Sequence, residues 1–169
     1  LKNIFLVFGG SLLIVISAQI VFHLPISPVP ITGQTFAILL VGFALGWKRG
    51  AAAVILYLAE GIAGLPVFAG GGYGPAWLFG PTGGYLIGFV VAAALAGYLA
   101  EKGFDKKAWS TMVAFIAAQA VIYLFGASWL STFTGMETAL QTGVFPFLVG
   151  DGLKAVLAAL TLPFAWKLI

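Results

Sequence analysis

Cysteine is absent from the 169 residues. That excludes disulfides and thiolate metal sites, and it leaves the redox compartment open. Histidine occurs once, at His23, so no pair of imidazoles is present to hold a metal and no His–Cys couple to run nucleophilic catalysis. Charge is scarce as well: 8% of residues are Asp, Glu, Lys or Arg, against about 25% in a soluble domain. What fills the space is apolar. The chain is 62% hydrophobic, with a mean hydropathy of +1.11, and reads as an integral membrane protein. Its apolar runs are continuous rather than alternating, so they are helices and not barrel strands. The net charge of +3 does not argue for nucleic acid, because the basic residues sit between the apolar runs.

Six spans are predicted in one membrane domain covering residues 1–169. The first covers residues 4–22. Lys2 ahead of it also fits a signal peptide, but the apolar stretch exceeds the usual ~7–15-residue h-region and no A-x-A site follows. The small residues Gly9, Gly10, Ser17 and Ala18 let a neighbouring helix approach closely, either within this chain or in another membrane subunit. Residues 23–33 hold Pro25, Pro28 and Pro30 and read as extended. Spans follow at 32–47 and 51–64, joined by the turn Trp47-Lys48-Arg49-Gly50. Both are at or below the ~17-residue limit for a crossing, so a re-entrant hairpin is the alternative. Residues 65–80 form a long, Gly-rich, aromatic and uncharged loop that suits a lid over an apolar ligand. The fourth span starts at Pro81 and ends near residue 100, with Gly84 and Gly88 making a flat packing face. The fifth covers 108–126, with Gln119 as its main polar interior residue. A loop at 128–143 precedes the sixth, at 144–166.

Seven of the eight basic residues, Lys2, Lys48, Arg49, Lys102, Lys106, Lys107 and Lys167, fall at the termini and in the second and fourth connections. In a six-span chain these share one side, which the positive-inside rule makes cytoplasmic. Trp47, Trp109 and Trp166 would mark that interface, Trp77 and Trp129 the outer one.

Lys154 is the eighth, on the outer half, with Asp151 one turn away. Residues i and i+3 share a helix face. Each charge near a bilayer centre costs roughly 2.5–3.5 kcal/mol to insert, so the pair reads as a polar site facing a cavity. The alternative is an intrahelical ion pair that satisfies itself and binds nothing. Lys154 would engage an anion or a carbonyl oxygen, and Asp151 would accept from N–H groups. That chemistry fits a small, mostly apolar ligand with an anionic end and hydrogen-bond donors. Glu60, near the end of the third span, either faces the aqueous cavity or reaches the interface.

Taken in order, several segments resemble the BioY family. They are Ala18-Gln19-Ile20 with Pro28-Val29-Pro30-Ile31-Thr32-Gly33-Gln34-Thr35, then Gly64-Leu65-Pro66-Val67-Phe68-Ala69-Gly70-Gly71. Gly80-Pro81-Thr82-Gly83-Gly84-Tyr85-Leu86, Pro146-Phe147 and Gly150-Asp151-x-x-Lys154 complete the set. The resemblance implies an all-α membrane protein of six transmembrane helices, an S-component bundle with both termini cytoplasmic. It implies the biotin-specific subunit of an energy-coupling factor (ECF) importer in the bacterial inner membrane. Its partners would be a transmembrane T component and two ABC ATPases, since Gly70-Gly71-Gly72 lacks the Lys-Ser/Thr of a P-loop. No enzymatic activity, cofactor, metal or nucleic-acid partner is expected. Asp151 and Lys154 would contact biotin, with Tyr85, Thr82 and Gly84 at the fourth helix, Phe68 and Gly71 in the third loop, and Gln34 beside them. Three departures stand out. Gly10, Ile14 and Ala18 hold the spacing of the family's docking motif on helix 1, but Ile14 breaks the run of small residues. No Arg lies near helix 4, which shifts its role toward Lys154. Glu60 stands where an apolar residue is expected.

A proton-coupled secondary transporter with Asp151 or Glu60 as carrier is the main rival reading, although no inverted repeat relates the two halves. A membrane enzyme would need a nucleophile–base pair or metal cluster that the composition hardly supplies.

Overall fold

In the computed structural model, which describes residues 1–168, apolar runs become helices because only a helix satisfies its own backbone in hydrocarbon. The side chains of residues 166–168 lie outside the description, and with them the expectation for Trp166 and Lys167. The helices are α1 (Lys2–Ala18), α2 (Gln34–Ile62), α3 (Ala76–Phe79), α4 (Gly83–Glu101), α5 (Ala108–Thr134), α6 (Met136–Gly143) and α7 (Leu148–Leu168). Two short strands, β1 (Val21–Phe22) and β2 (Ile31–Thr32), pair antiparallel and close the first connection. The first span is therefore shorter than expected, because Val21 and Phe22 leave the helix for this ladder.

Among the described residues, four helical stretches are long and apolar enough to cross a membrane by length and composition. One of them, α2, is a hairpin. Gln34 Nε2 donates to Tyr57 Oη at 2.7 Å, whereas 23 residues of unbroken helix would separate those positions by about 35 Å. The fold-back is at Gly46, with φ 77° and ψ 171°. That region of backbone space belongs essentially to glycine. The turn thus precedes the expected Trp47–Gly50, which is already helical. Gly46→Ala should destabilise the protein by about 1–3 kcal/mol, read as a lower midpoint of thermal unfolding in detergent. Its new Cβ would also meet Glu101 Oε1 at 2.5 Å. Counting the two arms of α2, the described residues hold six long helical segments, the number expected.

The interior is built on α2, which packs most extensively on α4 and then on α1, while α5 joins α4 to α7. Gly42 and Gly97 let the backbones touch: a Cβ at Gly42 would lie 3.1 Å from Ala93 Cα, and one at Gly97 2.6 Å from Trp47 Cα. Around this seam Ile14, Leu39, Phe43, Val54, Tyr57 and Phe115 are buried. The outer surface is just as apolar. Phe5 is 72% exposed, Leu124 66% and Leu160 64%, which suits lipid rather than water.

Three expectations are corrected. The face holding Gly10, Ile14 and Ala18 is buried, with Gly10 against Ala53, Val41 and Leu45. It serves packing inside this chain and is closed to a docking partner. Residues 128–143 are mostly helical rather than a loop. The stretch after Gly126 has neither Gly nor Pro until Gly135, and the hydroxyls of Ser131, Thr132 and Thr134 bond back to carbonyls three or four residues earlier. Gly135, at φ 83°, then breaks the chain into α6. Finally, the start of the sixth span is a 3-10 turn, Phe145–Phe147, so α7 begins four residues later than predicted, at Leu148.

Candidate functional site

The second and fourth connections meet at one end, where the Trp47 N–H donates to Glu101 Oε1 at 3.2 Å. The other end holds β1–β2, the 65–80 loop, and the junction of α6 with α7. There the helices diverge around a pocket of about 600 Å³, part of it open to solvent.

Aromatic walls come from separate elements, each seated by a small residue. The Phe68 ring fills the space that Gly61 leaves, and Tyr85 lies in the slot left by Gly126. Tyr85 Oη donates to Gly143 O at 2.8 Å, tying α4 to the end of α6. Phe68 stacks edge-on to Tyr57 and tilted to Trp77, with centroids 5.5 and 5.9 Å apart. Gln19 Nε2 reaches the Val67 and Phe68 carbonyls at 3.4 Å. The Gly-rich loop is therefore packed against the rest of the bundle, and Phe68, Ala69 and Trp77 line the pocket from it.

The polar side is one connected network. Asp151 and Lys154, one turn apart near the start of α7, form an ion pair at 2.9 Å, with side chains 8% and 19% exposed. Lys154 Nζ also donates to Thr35 Oγ1 at 2.8 Å and to the Thr32 carbonyl at 3.1 Å. It thus straps α7 to β2 and to the first turn of α2. Asp151 Oδ2 accepts from Gln119 Nε2 at 2.9 Å and from the Tyr123 hydroxyl. Gln119 and Tyr123 are i and i+4 on α5, so both reach the same carboxylate. Both charges are paired and hydrogen-bonded, as buried charges must be. The pair satisfies itself within α7 and at the same time lines the cavity.

Of the eight residues expected at the site, Asp151, Lys154, Tyr85, Thr82, Phe68 and Gln34 line the pocket. Gln34 spends its amide on Tyr57 and the Thr32 hydroxyl. Gly84 lies outside the pocket, where a Cβ would run into Phe125 O and Trp129 of α5; it is a packing position. Gly71 lies outside it too and shapes the 65–80 loop at φ 81°. Glu60 does not line the pocket, so the first of its two readings is corrected. Its Oε2 accepts from Ser11 Oγ at 2.8 Å in the seam between α1 and α2, away from the pocket. Sequence reasoning noted Gln119 without placing it and missed Tyr123, Thr35 and Thr32. The i, i+4 spacing of Gln119 and Tyr123 in a greasy run was the available signal. Among the described residues, no three His, Asp or Glu side chains converge as a metal site would need.

Several known proteins are similar to this chain. The Pyrococcus horikoshii protein named as a probable biotin transporter BioY is 41% identical over 145 residues, covering 86% of this chain and 84% of its own. The biotin transporter BioY of Thermotoga maritima is 41% identical over 149 residues, covering 88% and 86%. These relatives are named as transporters, not enzymes. The crystal structure of the S-component for biotin from an ECF-type ABC transporter superposes with a TM-score of 0.86 at 28% identity. It covers 98% of this chain and 91% of that one. The sequence model of the BioY family matches residues 1–169, and with that match over the full span the chain belongs to the BioY family.

Proposed function

We propose that this protein captures and translocates biotin as the substrate-specificity subunit of an ECF-type vitamin importer. The carrying observation is the pocket itself: aromatic on one side, and bounded on the other by the Asp151–Lys154–Gln119–Tyr123 network. Biotin has an apolar bicycle, a cyclic urea with N–H donors and a carbonyl, and a carboxylate. The rings suit Phe68, Trp77 and Tyr85, and the urea suits the polar network. Names of the relatives support the same ligand.

In this reading the chain crosses the bilayer six times, with both termini in the cytoplasm. The exposed Lys48, Arg49, Lys102, Lys106 and Lys107 lie on the inner side. The pocket, at the opposite end, opens outward in the bacterial inner membrane. A T component and two ABC ATPases supply the energy.

Isothermal titration of the purified protein tests the assignment. Biotin should bind saturably at one site, with thiamine and riboflavin silent. Equal heats for all three vitamins, or none for biotin, would overturn it.

A further inference from the structure

We infer that Gln119 is the acceptor for a ligand N–H and the residue that selects a cyclic urea over its oxygen isostere. Asp151 acts through it as a positioning residue. This rests on the biotin reading above.

Most of the hydrogen-bonding capacity around Asp151 and Lys154 is already used. Lys154 has three N–H donors, and they are placed on Asp151 Oδ1, Thr35 Oγ1 and the Thr32 carbonyl. Both oxygens of Asp151 already hold donors: Lys154 on one, Gln119 and Tyr123 on the other. Gln119 is different. Its side chain has two donors on nitrogen and an acceptor oxygen. An ionised carboxylate only accepts, so Asp151 compels the Nε2 end of the amide to turn toward it. The Oε1 end must then face the other way.

That oxygen is buried and has no hydrogen-bond partner among the described residues. Gln119 as a whole is 5% exposed, yet it lines the pocket. Buried acceptors are nearly always satisfied, and one left empty calls for an explanation. A ligand donor supplies it. The donor must be an N–H or O–H group, because a ring oxygen or carbonyl at that place would set lone pair against lone pair. Sites built to hydrogen-bond a substrate N–H reject analogues lacking it far more strongly than apolar sites reject a missing methylene.

The test uses biotin and its two cyclic carbamate analogues, in each of which one ureido N–H is a ring oxygen. Wild-type protein should bind one of the two analogues about ten- to a hundredfold more weakly than biotin. Gln119→Met, close in shape and without polar atoms, should weaken biotin by a similar factor. It should move that analogue by less than about threefold, so the discrimination collapses. Asp151→Asn should also reduce the discrimination, since an Asn partner accepts either orientation of the Gln119 amide. Gln119→Leu replaces the Met variant if the latter is not monodisperse. Wild-type discrimination retained in a Gln119 variant that binds biotin overturns this inference alone. No biotin binding by the wild type overturns the parent reading and this inference together.

Discussion

Lys154→Ala is expected to weaken biotin binding by more than about a hundredfold and to destabilise the protein by roughly 3–5 kcal/mol. The loss is large because three elements share one ammonium. Its removal leaves the Thr32 carbonyl and the Thr35 hydroxyl without their donor. It also leaves the Asp151 carboxylate, 8% exposed, without its counter-charge. Breaking a buried pair from one side costs more than never having had it. Asp151→Asn should do less damage to the fold, since Lys154 keeps two of its acceptors. The double variant should regain part of the stability lost in Lys154→Ala, because no orphaned carboxylate remains. Thermal unfolding of the purified variants, with and without biotin, measures both effects. A Lys154→Ala protein with wild-type affinity and wild-type melting would remove Lys154 from the site.

Gly97→Leu should prevent recovery of a monodisperse protein, and Gly42→Leu should behave alike. Both residues lie where α2 meets α4 backbone to backbone. Overpacking a core typically costs about 1–3 kcal/mol when neighbouring side chains can move aside. Here they cannot: the obstacles are Trp47 Cα in one case and Ala93 Cα in the other. The helices would have to separate along their length, and the walls of the pocket ride on both. Size-exclusion chromatography after detergent extraction reads the outcome. A sharp wild-type peak for either variant would mean that the seam is looser than its geometry implies.

Most of the helices were legible because hydrocarbon imposes a simple rule on backbone polar groups. Uncharged runs marked the spans, and the basic residues marked the turns at one end. The misplaced boundaries have two causes. Where α5 outran its expected end, the Ser and Thr residues that read as loop were bonded to their own helix. Where β1 cut α1 short, apolar residues entered a strand ladder that no local signal distinguishes from helix. Asp151 and Lys154 were legible at once, because paired charges in so greasy a chain leave few readings. Gln119 and Tyr123 were harder: uncharged polar residues in a span commonly serve packing alone. Gly84, drawn into the site by its neighbours in sequence, turned out to touch α5.

From its residues alone the chain was bound to be a helical membrane protein with one buried acid–base couple, because composition decides which solvent a surface can meet. Only the tertiary structure decided what that couple holds. Helix periodicity places side chains on a face but does not say which other faces come within hydrogen-bonding distance. Here the fold brought α5, β2 and the first turn of α2 to the same two charges, and in filling their bonds it left the Gln119 amide oxygen without a partner among the described residues.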